Sequence, residues 1–291
     1  MQGLIVENIS NKYTVKCNDK LYIATARGKL KIDEISPMVG DIVEIEVLDD
    51  NTSIINNILP RKTYIKRPKI SNISQIILVV SMKHPKPDLL LLDKQLAYAE
   101  FMNINPVIVL NKIDLIDDEE IEKIANIYEK IGYKVIKTDT INNTGIYELK
   151  KVLKNNISVF SGNSGVGKSS LINALFEDNL TIAGEISIKN KKGKNTTTSS
   201  KLYEIDNESY IADTPGFSTF EINEIESKDL YKFFREFVEE EKKCEFVGCT
   251  HIKEKSCGIK NALEQGHIEL SRYENYKKIY ENLKDLEEHK W

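Results

Sequence analysis

The chain has 291 residues, 41% hydrophobic and 30% charged, with a formal net charge of −4. That is too long for one small core, ordinary for a globular protein of two or three modules, and too acidic for wholesale coating of nucleic acid. No apolar run approaches the roughly 20 residues that span a bilayer, and Met1–Glu7 lacks the charged-then-apolar layout of a signal peptide, so the expected setting is cytoplasmic with no membrane partner. Lysines gather near residues 61–69 and 189–194, which leaves room for a local basic surface.

Residues 1 to about 60 read as five short strands: Gly3–Ile9, Tyr13–Cys17, Leu21–Ala26, Asp41–Leu48 and Ser53–Leu59. Asn18-Asp19 and Asp49-Asp50-Asn51 supply turn chemistry between them. Five strands in this length suit a small barrel, either of the oligonucleotide-binding (OB) type or without any nucleic-acid role. Leu59–Pro68, with two prolines and four cations, reads as a linker. Beyond it the period changes. Ile73–Val80 is a continuous apolar strand, Leu89–Met102 a helix, Pro106–Leu110 a strand and Asp117–Ile131 a helix with acids in its first turn. Val135–Lys137, Ile146–Lys154 and Ser158–Ser161 continue the alternation as strand, helix, strand, which implies a parallel sheet covered by helices. Past residue 225 the chain turns helical and charged. The expected domains are a barrel over 1–62, an α/β nucleotide domain over 63–222 and a helical metal-binding domain over 223–291.

Gly162-Asn163-Ser164-Gly165-Val166-Gly167-Lys168-Ser169 matches G-x-x-x-x-G-K-[ST] between a strand and the helix opened by Ser170. Glycines there let backbone N–H groups turn onto phosphate oxygens, and the helix N-terminus adds positive potential. Lys168 is placed on the β- and γ-phosphates and Ser169 on Mg²⁺. The base is chosen by Asn111-Lys112-Ile113-Asp114, which follows the strand Pro106–Leu110. Asp114 accepts from the guanine N1–H and exocyclic amine, a donor pair that adenine lacks. Asn111 would tie this loop to the phosphate loop, with the Lys112 stem along the base. Asp213-Thr214-Pro215-Gly216 follows the strand Ser209–Ala212, placing Asp213 near Mg²⁺ through a water and the Gly216 N–H near the γ-phosphate. Thr197, with Thr196 second, is chosen to complete the Mg²⁺ shell. Together these segments form a switch that the γ-phosphate orders.

The guanine loop precedes the phosphate loop, the reverse of ordinary GTPases. A parallel sheet tolerates such circular permutation because neighbours in space are kept. Cys244, Cys249, His251 and Cys257 form a Cys₃His set suited to one closed, structural zinc site. Cys17 reads as a small buried residue, and His84, His267 and His289 as surface.

With these residues in hand, the chain resembles the ribosome-small-subunit-dependent GTPase A family over essentially its whole length. The likeness rests on Arg61-Lys62 and Arg67-Pro68, Gly162–Ser170, Asp213–Gly216 and the cysteine–histidine spacing. It implies a monomeric, GTP/GDP-binding hydrolase that binds ribosomal RNA late in small-subunit assembly and is released by GTP turnover. One position departs: the family reads Gly-Arg-His-Thr-Thr, whereas this chain has Gly193-Lys194-Asn195-Thr196-Thr197. Asn195 can orient an attacking water by hydrogen bonding but cannot become cationic. The rival reading is an RNA-binding assembly module that uses GTP as a conformational ligand with little hydrolysis.

Overall fold

A computed structural model of the chain describes residues 1–28, 36–49, 52–66, 69–176, 200–206, 208–213 and 222–289, with the backbone alone at Asp49 and Asp213. It divides into two compact units: Met1–Ile77, Asp139–Ser161 and Gly167–Ser218 form the first, and Leu78–Thr138, Gly162–Val166 and Thr219–Trp291 the second.

The first unit begins with β1 (Gln2–Ile9), β2 (Lys12–Cys17), β3 (Lys20–Ala26), β4 (Ile42–Asp49) and β5 (Thr52–Ile58). Strand β1 pairs antiparallel with both β2 and β4, while β3 runs parallel to β5, so the five strands close into a barrel. Period-two alternation drives this closure. Ile5, Val15, Ala24, Val43 and Ile55, one from each strand, are fully buried. Asn18 makes the expected β2–β3 turn in the left-handed region, with φ of 52°.

The stretch read as a linker is more structured than its prolines and cations suggest. Tyr64–Lys66 and Lys69–Ser71 pair as a short antiparallel hairpin, β6 and β7, burying Ile65 and Ile70. Arg61 is a structural cation. Its Nε and Nη2 donate to the two carboxylate oxygens of fully buried Asp41 at 2.7 and 2.8 Å. Asp41 also accepts from the Met38 N–H and the Ser71 hydroxyl, so one carboxylate fastens the hairpin to the barrel.

Strand β8 (Gln75–Ser81) is buried at every residue, as a continuous apolar run requires. The first unit goes on through α3 (Ile146–Leu153), β11 (Ile157–Ser161), α4 (Lys168–Leu175), β12 (Lys201–Asp206) and β13 (Ser209–Asp213). Strand β13 runs parallel to β11 and antiparallel to β12. Strand β12 is unanticipated, although Lys201–Asp206 holds Leu202, Tyr203 and Ile205 among its charges before Asn207. It pairs in turn with β1, giving the order β11-β13-β12-β1-β2-β3-β5-β4.

The second unit holds α1 (Leu89–Phe101), β9 (Asn105–Asn111), α2 (Asp118–Glu129) and β10 (Lys134–Thr138), with β9 and β10 parallel. Its C-terminal part is a 3₁₀ segment, Ser227–Phe233, followed by α5 (Arg235–Glu241), α6 (Gly258–Glu264) and α7 (Leu270–Glu288). Ala97 and Tyr98 of α1 share one core with Phe234, Phe237 and Tyr276. Inside it lies a polar cluster. Arg272 donates to Asp93 at 2.6 Å and, through two nitrogens, to Glu236 at 2.7 and 3.1 Å. Tyr128 and Asn275 also donate to Asp93, at 2.9 and 2.7 Å. Both Asp93 and Arg272 are essentially inaccessible to solvent.

No helix among the described residues is long and apolar enough to cross a membrane.

Candidate nucleotide site and metal centre

Strand β9 ends at Asn111, which is buried and connects two loops. Its Nδ2 donates to the Val166 carbonyl in the phosphate loop at 2.9 Å, and its Oδ1 accepts from the Thr138 hydroxyl at 3.0 Å. A buried amide with both ends engaged has one orientation, so Thr138 decides which way Asn111 faces. The sequence reading missed Thr138, since a threonine ending a strand carries no signal by itself. The Asn111 carbonyl in turn accepts from the Met82 N–H.

Lys112 follows with φ of 63°, a conformation a side chain of this size adopts only when held. Its Nζ donates to the Gly165 carbonyl at 2.7 Å and to the His84 carbonyl at 2.5 Å. His84, read as a surface residue, thus contributes through its backbone. Asp114 sits exposed in the 3₁₀ turn Ile113–Leu115, where its carboxylate can meet a ligand edge. Asn111 and Lys112 therefore grip the first half of the phosphate loop from the guanine side.

The phosphate loop has the backbone that its glycines allow. Gly162 takes φ of 138°, and a Cβ there would stand 2.2 Å from the Val79 carbonyl oxygen, closer than any side chain tolerates. Gly165 and Gly167 also have positive φ, at 79° and 102°. Val166 is buried, anchoring the loop from below, while Ser164 and Gly165 are exposed. Asn163 donates to Asp88, whose other oxygen caps α1 at the Leu91 N–H. Lys168 and Ser169 open α4, with Ser170 exposed beside them. Burial lowers the Lys168 ammonium below its ordinary pKa, a deficit that a phosphate anion reverses.

Asp213 ends β13, its backbone opposite Lys201. The Asp213 side chain, Asn195, Thr196, Thr197 and Gly216 lie outside the described residues, as do Lys189–Lys194 and Arg67.

The four cysteine–histidine donors lie within 4.8 Å of one another. Cys244 Sγ stands 3.6 Å from His251 Nδ1 and 3.9 Å from Cys257 Sγ, and Cys257 Sγ stands 3.5 Å from the same nitrogen. A tetrahedral zinc with bonds of about 2.3 Å to sulfur and 2.0–2.1 Å to nitrogen requires separations of about 3.8 and 3.6 Å. The donor set and its spacing therefore fit one such ion. The Gly258 N–H donates to Cys244 Sγ at 3.3 Å, as to a thiolate. Burial pushes the Cys249 thiol up to about 12 and the His251 imidazole down to about 4, so a cation is needed to draw the thiols into their anionic form.

The loop around the site is itself braced. Tyr273 and Tyr276 of α7 donate to the carbonyls of His251 and Thr250 at 2.8 and 3.0 Å. Glu254 accepts from the N–H groups of Thr250, Ile252 and Lys253 and from the Thr250 hydroxyl. Burial opposes its ionisation, but these donors prevail and hold the carboxyl at about 2. Nothing in the sequence singles out Glu254 among its acidic neighbours.

The profile of the RsgA GTPase family matches residues 58–223, and that of the RsgA N-terminal domain matches residues 2–55. A relative from Caldanaerobacter subterraneus, named small ribosomal subunit biogenesis GTPase RsgA, is 39% identical over all of this chain and 98% of its own. A Geobacillus relative of the same name is 41% identical over 98% of each chain. The crystal structure of YjeQ from Thermotoga maritima superposes with a TM-score of 0.85 at 37% identity, covering 97% of this chain and 98% of that one. That of YloQ, described as a circularly permuted GTPase, gives 0.82 at 31% identity over 98% and 95%. With an N-terminal five-stranded barrel, a permuted nucleotide domain and a C-terminal helical region bearing the cysteine–histidine set, this chain belongs to the RsgA family of circularly permuted GTPases.

Proposed function

We propose that this GTPase acts in biogenesis of the small ribosomal subunit, binding its RNA and leaving when GTP is hydrolysed. The names of its relatives support the subunit, and the grip of Asn111 and Lys112 on the phosphate loop supports the nucleotide. That grip carries the reading, because it joins a base-selecting loop to a phosphate-binding loop. Asp114 reads guanine, and Gly162–Ser170 enclose the phosphates. Lys168 and the backbone N–H groups offset charge that develops as water attacks the γ-phosphorus. Ser169 and Thr197 would hold Mg²⁺, with Asp213 reaching it through water; the ion supplies charge neutralisation on the phosphate oxygens. The Gly216 N–H meets the γ-phosphate, and Asn195 orients the water. Zinc in the Cys244, Cys249, His251 and Cys257 set is structural. Residues 1–62, 63–222 and 223–291 act as RNA-binding barrel, GTPase and zinc domain of a cytoplasmic monomer.

The departure at Asn195 favours a second reading, in which GTP is mainly a conformational ligand. Steady-state turnover of GTP, with ATP as control and with or without small subunits, separates the two. Subunit-stimulated GTP turnover supports the enzyme; tight GTP binding with negligible turnover favours the second. Base selection has its own test. Asp114→Asn removes two hydrogen bonds to a charged acceptor and should shift preference from GTP toward xanthosine triphosphate by about 100-fold or more. Competition binding that left the preference unchanged would refute the role of Asp114.

A further inference from the structure

Glu7 of β1 stands opposite Lys201 of β12, and Lys201 stands opposite the backbone of Asp213 in β13. The three positions form one row across three adjacent strands of the first unit. Lys201 closely follows the threonine segment 196–198 in sequence, and Asp213 is the first residue of the Asp-x-x-Gly motif. Both chain segments of the switch thus join the β12–β13 hairpin at this one end.

The barrel holds that hairpin twice. At the switch end, Lys201 Nζ lies 3.6 Å from Glu7 Oε1, with both side chains mostly buried. Toward the other end, Lys16 of β2 pairs with Glu204 of β12 and lies over the ring of Tyr210, the cross-strand partner of Glu204. Opposite charges on directly facing residues fix strands in register, and like charges there push them apart.

We infer that barrel strand β1 positions Asp213, making Glu7 and Lys201 positioning residues for the magnesium and γ-phosphate side of the GTPase site. The inference rests on the role proposed above for Asp213. It gives the barrel a part in nucleotide chemistry separate from any contact with RNA. It also gives β1 and the nucleotide site a route for influencing each other.

The test is selective binding. Glu7→Lys places like charges opposite one another, and the pair Glu7→Lys/Lys201→Met removes that repulsion without setting a carboxylate opposite Asp213. Affinities of the full chain are measured for a non-hydrolysable GTP analogue with magnesium and for GDP without it. The Glu7→Lys variant should bind the analogue about fivefold more weakly, and the pair should recover part of that loss. GDP affinity should stay within about twofold, as expected of an independent site. Equal losses for both nucleotides, no loss for either, or a pair no better than Glu7→Lys alone would overturn the inference. Should Glu7→Lys fail to fold, as judged by circular dichroism, Glu7→Gln, which only removes the attraction, decides by the same two affinities. Wild-type protein that bound neither nucleotide would instead refute the GTPase reading itself.

Discussion

Replacing Arg272 with Met should destabilise the second unit by about 3–5 kcal/mol, among the largest losses expected from a single change in this chain. The substitution keeps the length of the side chain and removes its charge and donors. It leaves Asp93 and Glu236 facing each other's negative charge in a site that solvent hardly reaches. Burial already raises the Asp93 carboxyl above its ordinary range with the guanidinium beside it. Without that guanidinium the carboxyl would take up a proton or admit water, and either response costs packing. Calorimetric melting of full-length protein measures the loss. A simultaneous change of Asp93, Glu236 and Arg272 to apolar residues of similar size should recover much of it, because the penalty lies in the orphaned charges. An unchanged melting transition in the single variant would mean that the cluster contributes little.

Metal removal should have the second large effect. The segment 244–257 has few apolar residues of its own, and three of its four candidate ligands are buried. Structural zinc in small modules contributes about 10–16 kcal/mol of apparent binding free energy, an upper bound where the loop also packs on helices. Purified protein should carry one zinc per chain, and a strong chelator should lower its melting temperature and expose the segment to protease. The direction of the pH effect follows from the groups involved. Burial raises the Cys249 and Cys257 thiols, so both are protonated in metal-free protein at neutral pH, while His251, pushed down to about 4, is already neutral. Metal uptake must therefore release protons from thiols and none from the imidazole, and affinity should rise with pH across the neutral range. Titrating zinc into metal-free protein in buffers of different ionisation enthalpy counts those protons. Protein that carries no metal and melts identically with chelator would rule the site out.

The parts of this architecture that were legible in the sequence are those encoded by local rules. Alternating residues marked the five barrel strands, a continuous apolar run marked β8, and the glycine spacing from Gly162 to Gly167 marked the phosphate loop. The cysteine–histidine set was legible because ligand chemistry restricts which residue types can serve. What escaped depends on partners far along the chain. Ile65 and Ile70 look isolated among cations until β6 and β7 pair, and Arg61 reads as a surface charge until buried Asp41 is placed against it. Thr138 gains meaning only beside Asn111. The backbone of His84 could not have been singled out by any side-chain argument. Strand β12 was within reach, but its charged residues favour reading it as a loop. Its lysine and glutamate are satisfied by the barrel, which a window of six residues cannot reveal.

The long separations in this fold set a timetable for synthesis. The Asn111 amide must wait 55 residues for the Val166 carbonyl, and Lys16 must wait 188 residues for Glu204. At about 5–20 residues per second, the barrel spends roughly 10–40 s beside its translating ribosome before its last partner strand emerges. Throughout that interval the end of β1 near Glu7, beyond the Gln2–Leu4 stretch paired with β4, still awaits β12. Late arrival of β12 therefore covers a short stretch of β1 that the closed barrel leaves for it.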